Sequence, residues 1–293
     1  MDQRSFLPAV VDHHVHLGLV DPGRLAGSVL AEVHDLGWDP LVSAAIAKSP
    51  PRGVRVRFAG PFHTAPGGYP AGRAWAPSSA IRGVSGPQEA RGAVADVVAA
   101  GGSFVKIALH SGMPLLDDAT LVALVRAARA AGLPAVVHAE GEGQAARALG
   151  AGAEMLAHAP WSEPLPDKLL RAAAGRATWI STLAIHDRPD LDVALDNVAR
   201  FHAAGGAVVY GTDMGNGPTP RRGVSDREIA LLGEAGLTGE ALLRAVVGPP
   251  GRRDLDPERA LVSPHPRPAD AGELITWLAD ARRLTPADLE SLT

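Results

Sequence analysis

Short runs of β-branched residues alternate with Ala- and Leu-rich amphipathic segments along this chain from Leu7 onward. Such alternation is typical of repeated βα units, in which helices cover a parallel sheet. With 293 residues, the chain is long enough for a (β/α)8 barrel, which takes about 250 residues. The sequence therefore predicts an α/β fold, a single-domain (β/α)8 TIM barrel over residues 1–255. Residues 256–293 are expected to form a Pro-rich segment and a helical tail packed on the barrel.

The expected elements can be placed from hydrophobic periodicity and from the Gly and Pro residues at their ends. Strands are predicted at about 8–16, 41–46, 53–60, 103–109, 134–138, 154–158, 177–183 and 207–213. Helices are predicted near 22–36, 87–100, 117–131, 142–150, 166–174, 190–204, 225–235 and 238–247. The segment 61–86 is rich in Gly and Pro and too long for an ordinary connection, so it is predicted to be an active-site loop.

Composition excludes several classes of function. The net charge is −4 and no run of Lys and Arg occurs, so nucleic acid is not an expected partner. The apolar stretches are strand-sized and residues 1–8 lack a signal-peptide pattern, which predicts a cytoplasmic protein with no membrane partner. Because the chain has no cysteine, a metal ion could be held only by His, Asp, Glu or Lys.

The first predicted strand reads AVVDHHVHLG and offers a pair of histidines. Alternate side chains of a strand share a face, so His14 and His16 are expected to point the same way. Two inward imidazoles would be costly for packing alone, because each brings a polar group that needs a partner. The pair therefore indicates a metal site, although a His-X-His pair is a weak signal on its own.

Four further polar residues each close an apolar run at the end of a predicted strand: Lys106, His138, His158 and Asp213. In a (β/α)8 barrel the carboxyl ends of the strands gather around one pocket. Taken singly, either histidine could be a hydrogen-bonded core residue, the lysine could snorkel and the aspartate could cap a turn. Five strands that end in ligand-type residues favour a shared site instead.

Other residues that follow strand ends are candidates for contact with a substrate. They are His186, His110, Tyr69, His63 and Trp161. The first three follow strand ends most directly. A surface or supporting role is the alternative for each of the five.

The complete set resembles the amidohydrolase superfamily, with His-X-His on strand one, Lys on strand four, His on strands five and six, and Asp on strand eight. The resemblance runs from about Leu7 to Leu255. Five segments look more specifically like the imidazolonepropionase and prolidase-like branch. They are GPFHTAPGGYP, GPQEARGAVADVVAAGGSFVKI, STL at 181–183, GTD at 211–213 and EAGLTGEALLRAV.

The resemblance implies a centre of two divalent metal ions, zinc first, with Mn, Fe or Co as alternatives. The implied ligands are His14, His16 and Asp213 for the more buried ion, and His138 and His158 for the second. Lys106 would bridge the ions as a carbamate, which forms when carbon dioxide adds to an amine whose pKa is depressed by burial. Asp213 would be the general base for a water activated by the metal, and would later return the proton to the leaving group.

The chain departs from most members of that branch at both ends of the predicted barrel. Eight residues precede the segment AVVDHHVHLG of the first predicted strand, and the usual C-terminal return is replaced by SPHPRPADAGELITWLADARRLTPADLESLT. The small β-sandwich domain common in the family is therefore expected to be absent. The second βα unit also looks abbreviated.

The leading hypothesis is a hydrolase that cleaves an amide-type C–N bond, linear or cyclic, in a small molecule, with a lactone or ester as the nearest variant. A mononuclear deaminase-type alternative keeps one ion on His14, His16, His138 and Asp213, with an uncarboxylated Lys106. TatD-like nucleases are a weaker match, because strand four lacks an acidic ligand. An inactive barrel that acts as a binding protein is the alternative of another class. A homo-oligomer is compatible with each of these.

Overall fold

Parallel strands form most of the structure, a computed structural model that describes residues 4–217, 220, 223–248, 259–285 and 288. The strands are β1 Ser5–Pro8, β2 Val10–Val15, β3 Leu30–Asp35, β4 Arg55–Phe58, β5 Phe62–Thr64, β6 Ile81–Gly83, β7 Val105–His110, β8 Ala135–Glu140, β9 Met155–Ala157, β10 Thr178–Ile180, β11 Ala207–Val209, β12 Ala260–Ser263 and β13 Arg282–Arg283. The α-helices are α1 Pro40–Lys48, α2 Ala90–Ala99, α3 Asp118–Ala130, α4 Gln144–Gly150, α5 Asp167–Ala173, α6 Asp190–Ala203, α7 Asp226–Glu234, α8 Gly239–Val247 and α9 Ala271–Ala279.

Two parallel sheets carry the fold. Seven strands pair in the order β11-β10-β9-β8-β7-β5-β6, and three pair in the order β2-β3-β4. Backbone hydrogen bonds join the sheets on both sides: Asp213 N–H donates to the His14 carbonyl at 2.8 Å, and Ser103 N–H donates to the Phe58 carbonyl at 2.7 Å. The predicted α/β class is confirmed, and the arrangement is TIM-barrel-like.

Most predicted helices are observed within a few residues of their expected positions, α2 to α8 among them. The helix predicted near 117–131 is α3, which begins where the Asp117 side chain accepts a hydrogen bond from Thr120 N–H. Such a cap satisfies one of the N–H groups left free at a helix start. The helix buries Leu121 and Leu124 against the sheet, so local chemistry and hydrophobic period agree there.

The prediction for the second βα unit is wrong. A helix is predicted at 22–36 and a strand at 41–46, whereas the structure has strand β3 and then helix α1 in their place. Helix α1 begins at Pro40, and the Asp39 side chain accepts hydrogen bonds from the N–H groups of Leu41 and Val42. An Asp-Pro pair is a strong helix-start signal that outweighs the β-branched residues after it.

Two polar side chains interrupt the apolar residues of strand β3, so its pattern does not predict a strand. Glu32 and His34 lie two residues apart on one face of the strand, with 3.0 Å between His34 Nε2 and Glu32 Oε1. Arg259 donates to the second Glu32 oxygen at 2.9 Å. A buried polar group is tolerated when it is paired in this way, and the pairing depends on residues far apart in the sequence.

A third sheet is antiparallel and has the order β1-β12-β13. Its first strand precedes the parallel strands in the sequence, and its other two strands follow them. The strand predicted at 8–16 is therefore divided at Ala9 between two sheets. Residues 256–293 were expected to form a Pro-rich segment and a helical tail, and their described part contains β12, α9 and β13. Trp277 of α9 is fully buried and donates from Nε1 to Ser5 Oγ at 2.7 Å. The predicted boundary at residue 255 lies outside the described residues.

The main apolar core lies between the parallel strands and the helices. A smaller cluster consists of Leu36, Ala59, Phe104, Val136, Ala157 and Ile180. In the part of the chain that the structure describes, no helix is both long enough and apolar enough to cross a membrane.

Candidate active site

Side chains from the ends of separate strands meet at one cavity of about 170 Å³. The cavity wall includes five of the predicted ligand residues, His16, Lys106, His138, His158 and Asp213. The sixth, His14, is fully buried behind the wall, with its Nε2 atom 3.3 Å from His16 Nε2. The structure thus brings all six predicted ligand residues to the same place.

The nitrogen and oxygen atoms of three residues converge most closely. One donor atom from each of His14, His158 and Asp213 lies within 4.8 Å of the others. Asp213 Oδ1 is 3.4 Å from His14 Nε2 and 3.2 Å from His16 Nε2. Three imidazoles around one carboxylate form a nitrogen and oxygen donor set that suits zinc and similar divalent ions.

The backbone is strained at this site. His158, Thr182 and Asp213 have φ values of 79°, 42° and 52°, in the left-handed region that non-glycine residues rarely adopt. Each such residue costs about 1–3 kcal/mol and persists only where the surrounding structure holds it. Two of these residues line the cavity, and the third contacts His158. Strain concentrated in this way is typical of a functional site.

Two of these histidines each have one ring nitrogen held by a hydrogen-bond acceptor. His16 Nδ1 lies 3.0 Å from the Gly37 carbonyl, which can only accept, so Nε2 is left with its lone pair. His138 Nε2 lies 3.1 Å from Glu140 Oε2, which leaves Nδ1 free. A second partner that fixes the tautomer is a usual feature of metal-binding histidines.

His158 is held through a hydroxyl group. Its Nδ1 atom is 2.8 Å from Thr182 Oγ1, and this contact orients the ring. His14 differs, since its buried Nδ1 atom has no hydrogen-bond partner among the residues that the structure describes. The donors present therefore fit a divalent metal ion.

Burial sets the charge of these groups. It lowers the pKa of His14 and His158 well below the ordinary value, and neighbouring cationic groups lower both further. Burial also lowers the pKa of Lys106 to about 7, against the opposing effect of Asp213. The imidazoles are then neutral with free lone pairs, and an appreciable fraction of Lys106 is an uncharged, nucleophilic amine near neutral pH.

Aromatic side chains form much of the remaining cavity wall. These further lining residues are Phe62, Tyr69, Trp75, Glu140, Trp161, Ile185 and Asn216. The Tyr69 ring stacks on His138 at 4.9 Å, and the Trp161 ring lies edge-on to His158 at 5.4 Å. Tyr69 and Trp75 come from the segment 61–86, which was predicted to be an active-site loop. The wall can hold an apolar group and exclude water.

The predicted substrate residues are placed in different ways. Tyr69 and Trp161 line the cavity, whereas His110 stacks behind Tyr69 at 5.3 Å. His186 packs on Trp161 with 4.7 Å between ring centroids. His63 is fully buried with its Nδ1 atom 2.9 Å from the backbone carbonyl of residue 106, so it lies outside the cavity wall.

Sequence reasoning missed Glu140 and Thr182. Glu140 lines the cavity and lies 3.2 Å from His110 Nε2 as well as contacting His138. Glu140 could have been found from the sequence, because it follows His138 by two residues and therefore lies on the same face of β8. Thr182 left no such signal, because its role depends on an unusual backbone conformation.

His186 should make the folded protein sensitive to acid. Burial lowers its pKa from 6.5 to about 4, more than nearby Asp190, Asp213 and Glu140 raise it. The unfolded state then gains a proton first, so stability is lost as the pH falls from about 6.5 to about 4. We expect this loss to reach at most about 1.4 kcal/mol per pH unit and to be absent in His186→Gln. Denaturant unfolding of both proteins across that range measures it, and equal slopes would contradict the expectation.

Several solved structures share the architecture of this chain over most of its length. No protein-family model and no curated protein sequence matches the chain. A Xaa-Pro dipeptidase structure with methionine in its active site is 18% identical, with a TM-score of 0.72 over 95% of this chain and 84% of that one. An amidohydrolase structure is 18% identical, with a TM-score of 0.68 over 92% and 82%.

Molinate hydrolase is a third similar structure, 18% identical, with a TM-score of 0.64 over 95% of this chain and 81% of its own. At such low identity the likeness shows the fold alone. The superfamily that the sequence motifs resemble and the architecture of these structures nevertheless agree. This chain has the fold of the amidohydrolases.

Proposed function

We propose that this protein is a metal-dependent hydrolase that cleaves an amide-type C–N bond, linear or cyclic, in a small molecule. The observation that carries the proposal is the convergence of donor atoms from His14, His158 and Asp213 in a buried site. The similar structures include a dipeptidase and molinate hydrolase, and their names support hydrolytic chemistry. We also propose that the two parallel sheets form one closed (β/α)8 barrel, which would place the strand ends around the site.

Two divalent ions, with zinc favoured, are the proposed cofactors. His14, His16 and Asp213 would hold one ion, and His138 and His158 would hold the other. Lys106 reaches the same cavity and would bridge them as a carbamate, for which its depressed pKa provides the reactive amine. When bound, the ions would supply Lewis acidity to the carbonyl group of the substrate and to a water molecule.

The side chains of the chain would move the proton and hold the substrate. A carboxylate oxygen of Asp213 accepts the proton of the attacking water and later delivers it to the leaving nitrogen. The rings of Tyr69, Trp75 and Trp161 hold the apolar part of the substrate and keep other water out. A cavity of about 170 Å³ suits a small substrate better than a long peptide.

Metal content tests the proposal. We expect close to two transition-metal ions per chain after gentle purification, because six ligand-type residues meet at the cavity. Chelation should abolish hydrolysis of small amides and cyclic amides, and added zinc, manganese or cobalt should restore it. Elemental analysis and activity before and after chelation measure both. A purified protein that contains no metal and keeps its activity in the presence of chelators would contradict the proposal. A content of one ion per chain would favour the mononuclear alternative.

A further inference from the structure

Helix α7 carries a buried carboxylate that has no part in the reaction proposed above. Glu228 is fully buried in the first turn of this helix. One of its oxygens accepts a hydrogen bond from Leu183 N–H at 2.9 Å, and the other accepts one from Ala184 N–H at 2.6 Å. The Ser181 side chain also bonds to it. Glu228 therefore holds the short segment 181–184, which follows strand β10.

The held segment contains the strained residue Thr182. Its φ of 42° is unfavourable for a β-branched residue, so the conformation needs support from outside the segment. Glu228 accepts hydrogen bonds from the two residues that follow Thr182 in the sequence, and it also bonds the side chain of the residue before Thr182. In this conformation Thr182 Oγ1 reaches Nδ1 of His158 at 2.8 Å.

We infer that Glu228 is a positioning residue for metal binding, which acts through Thr182 to fix the ring orientation of His158. Glu228 keeps the segment in place, Thr182 Oγ1 forms a hydrogen bond with His158 Nδ1, and the ring orientation held in this way would leave His158 Nε2 to bind metal. The inference rests on the proposed function, because it concerns a ligand of the proposed metal centre.

A carboxylate suits this position better than its neutral relatives. The groups from Leu183 and Ala184 are both donors, so only a side chain with two acceptor oxygens satisfies both. Glutamine would turn an NH2 group toward one of these N–H groups and leave it without an acceptor. Burial raises the pKa of Glu228 to about 7, and the hydrogen bonds from Ser181, Ala184 and Leu183 act in the opposite direction.

The first experiment compares Glu228→Gln with a matched control on the same helix, Glu234→Gln, whose side chain is 53% exposed. Zinc affinity is measured by competition with a chelating dye, and backbone exchange at Leu183 and Ala184 by hydrogen–deuterium exchange. For Glu228→Gln we expect zinc binding about 10–100-fold weaker for one ion and faster exchange at both amides. The control should match the wild-type protein in both measurements.

A second experiment separates positioning from general stabilisation. Thr182→Val removes the hydroxyl group and should weaken zinc binding, whereas Thr182→Ser should retain it. If Glu228 acts through Thr182, the Glu228→Gln/Thr182→Val double variant binds zinc within about twofold of Thr182→Val alone. If the fold-losses of zinc affinity in the two single variants multiply in the double variant, the two residues act independently and the inference is overturned.

The remaining outcomes are also decisive. If Glu228→Gln does not fold, Glu228→Asp is the alternative variant. Its side chain keeps both carboxylate oxygens but is shorter by one methylene group, so a smaller loss of zinc affinity is expected. Wild-type zinc affinity and exchange in either folded variant would overturn the inference and leave the proposed function standing. A wild-type protein that binds neither zinc, manganese, iron nor cobalt would overturn the proposed function itself.

Discussion

Asp213→Asn is expected to lower turnover about a thousandfold while much of the metal stays bound. The amide keeps an oxygen that can ligate weakly, but it cannot take a proton from water. His14 Nε2 and His16 Nε2 both lie within 3.4 Å of Asp213 Oδ1, and we expect these two imidazoles to retain an ion in the variant. Turnover and metal content, measured on the same preparation, separate loss of the base from loss of the site.

The matched control is Asp187→Asn, since the Asp187 side chain is 99% exposed. It should retain wild-type turnover and metal content. Near-normal turnover in Asp213→Asn would mean that another group accepts the proton, and Glu140 would be the next candidate because it lines the same cavity. Complete loss of metal from Asp213→Asn would assign the residue to binding and leave its role as a base unsupported.

Lys106→Ala is expected to lose at least one metal ion and most activity. Val105 and Ile107 are buried in the core between sheet and helices, and Lys106 points instead into the cavity. An ammonium group about 4 Å from a single positive charge costs about 4 kcal/mol at an effective dielectric near 20, and a divalent ion repels it more. A carbamate reverses the sign of that interaction, which is why the modified form should be required.

Chemical rescue tests this assignment. Formate or acetate added to Lys106→Ala should restore part of the metal content and activity, because a small carboxylate places two oxygens where the carbamate oxygens belong. Lys48→Ala, at the exposed end of α1, is the control and should need no rescue. Full metal content and activity in Lys106→Ala would rule out the bridging carbamate and favour the mononuclear alternative.

Position along the strands explains why the candidate site could be predicted. In parallel βα units the carboxyl end of every strand faces one side, so polar residues that close apolar runs are brought together whatever their sequence separation. Lys106, His138 and Asp213 were found by that rule, and the structure brings them to one cavity. The rule uses only local pattern and chain direction, both of which are visible in a sequence.

Contacts between distant residues could not be predicted in this way. Strand β3 was missed because Glu32 resembles the polar face of a helix until its partner Arg259 is known. The pairing of β1 with β12 was missed because antiparallel pairing across most of a chain leaves no local pattern. The role of Thr182 depends on a backbone strained by tertiary contacts, which composition and periodicity do not report.

The hydrogen bond from Asp213 N–H to the His14 carbonyl has a consequence for the order of folding. It joins the first parallel strand to the segment after the last one, and these same residues supply donor atoms to the site. Contacts of such high sequence separation form late, after the intervening strands have assembled. A nascent chain would therefore carry its His14 strand unpaired on one side until residue 213 had been synthesised. We then expect ion uptake to occur in the last stage of folding. The bound ion should stabilise the contact between the strand of His14 and the segment at Asp213.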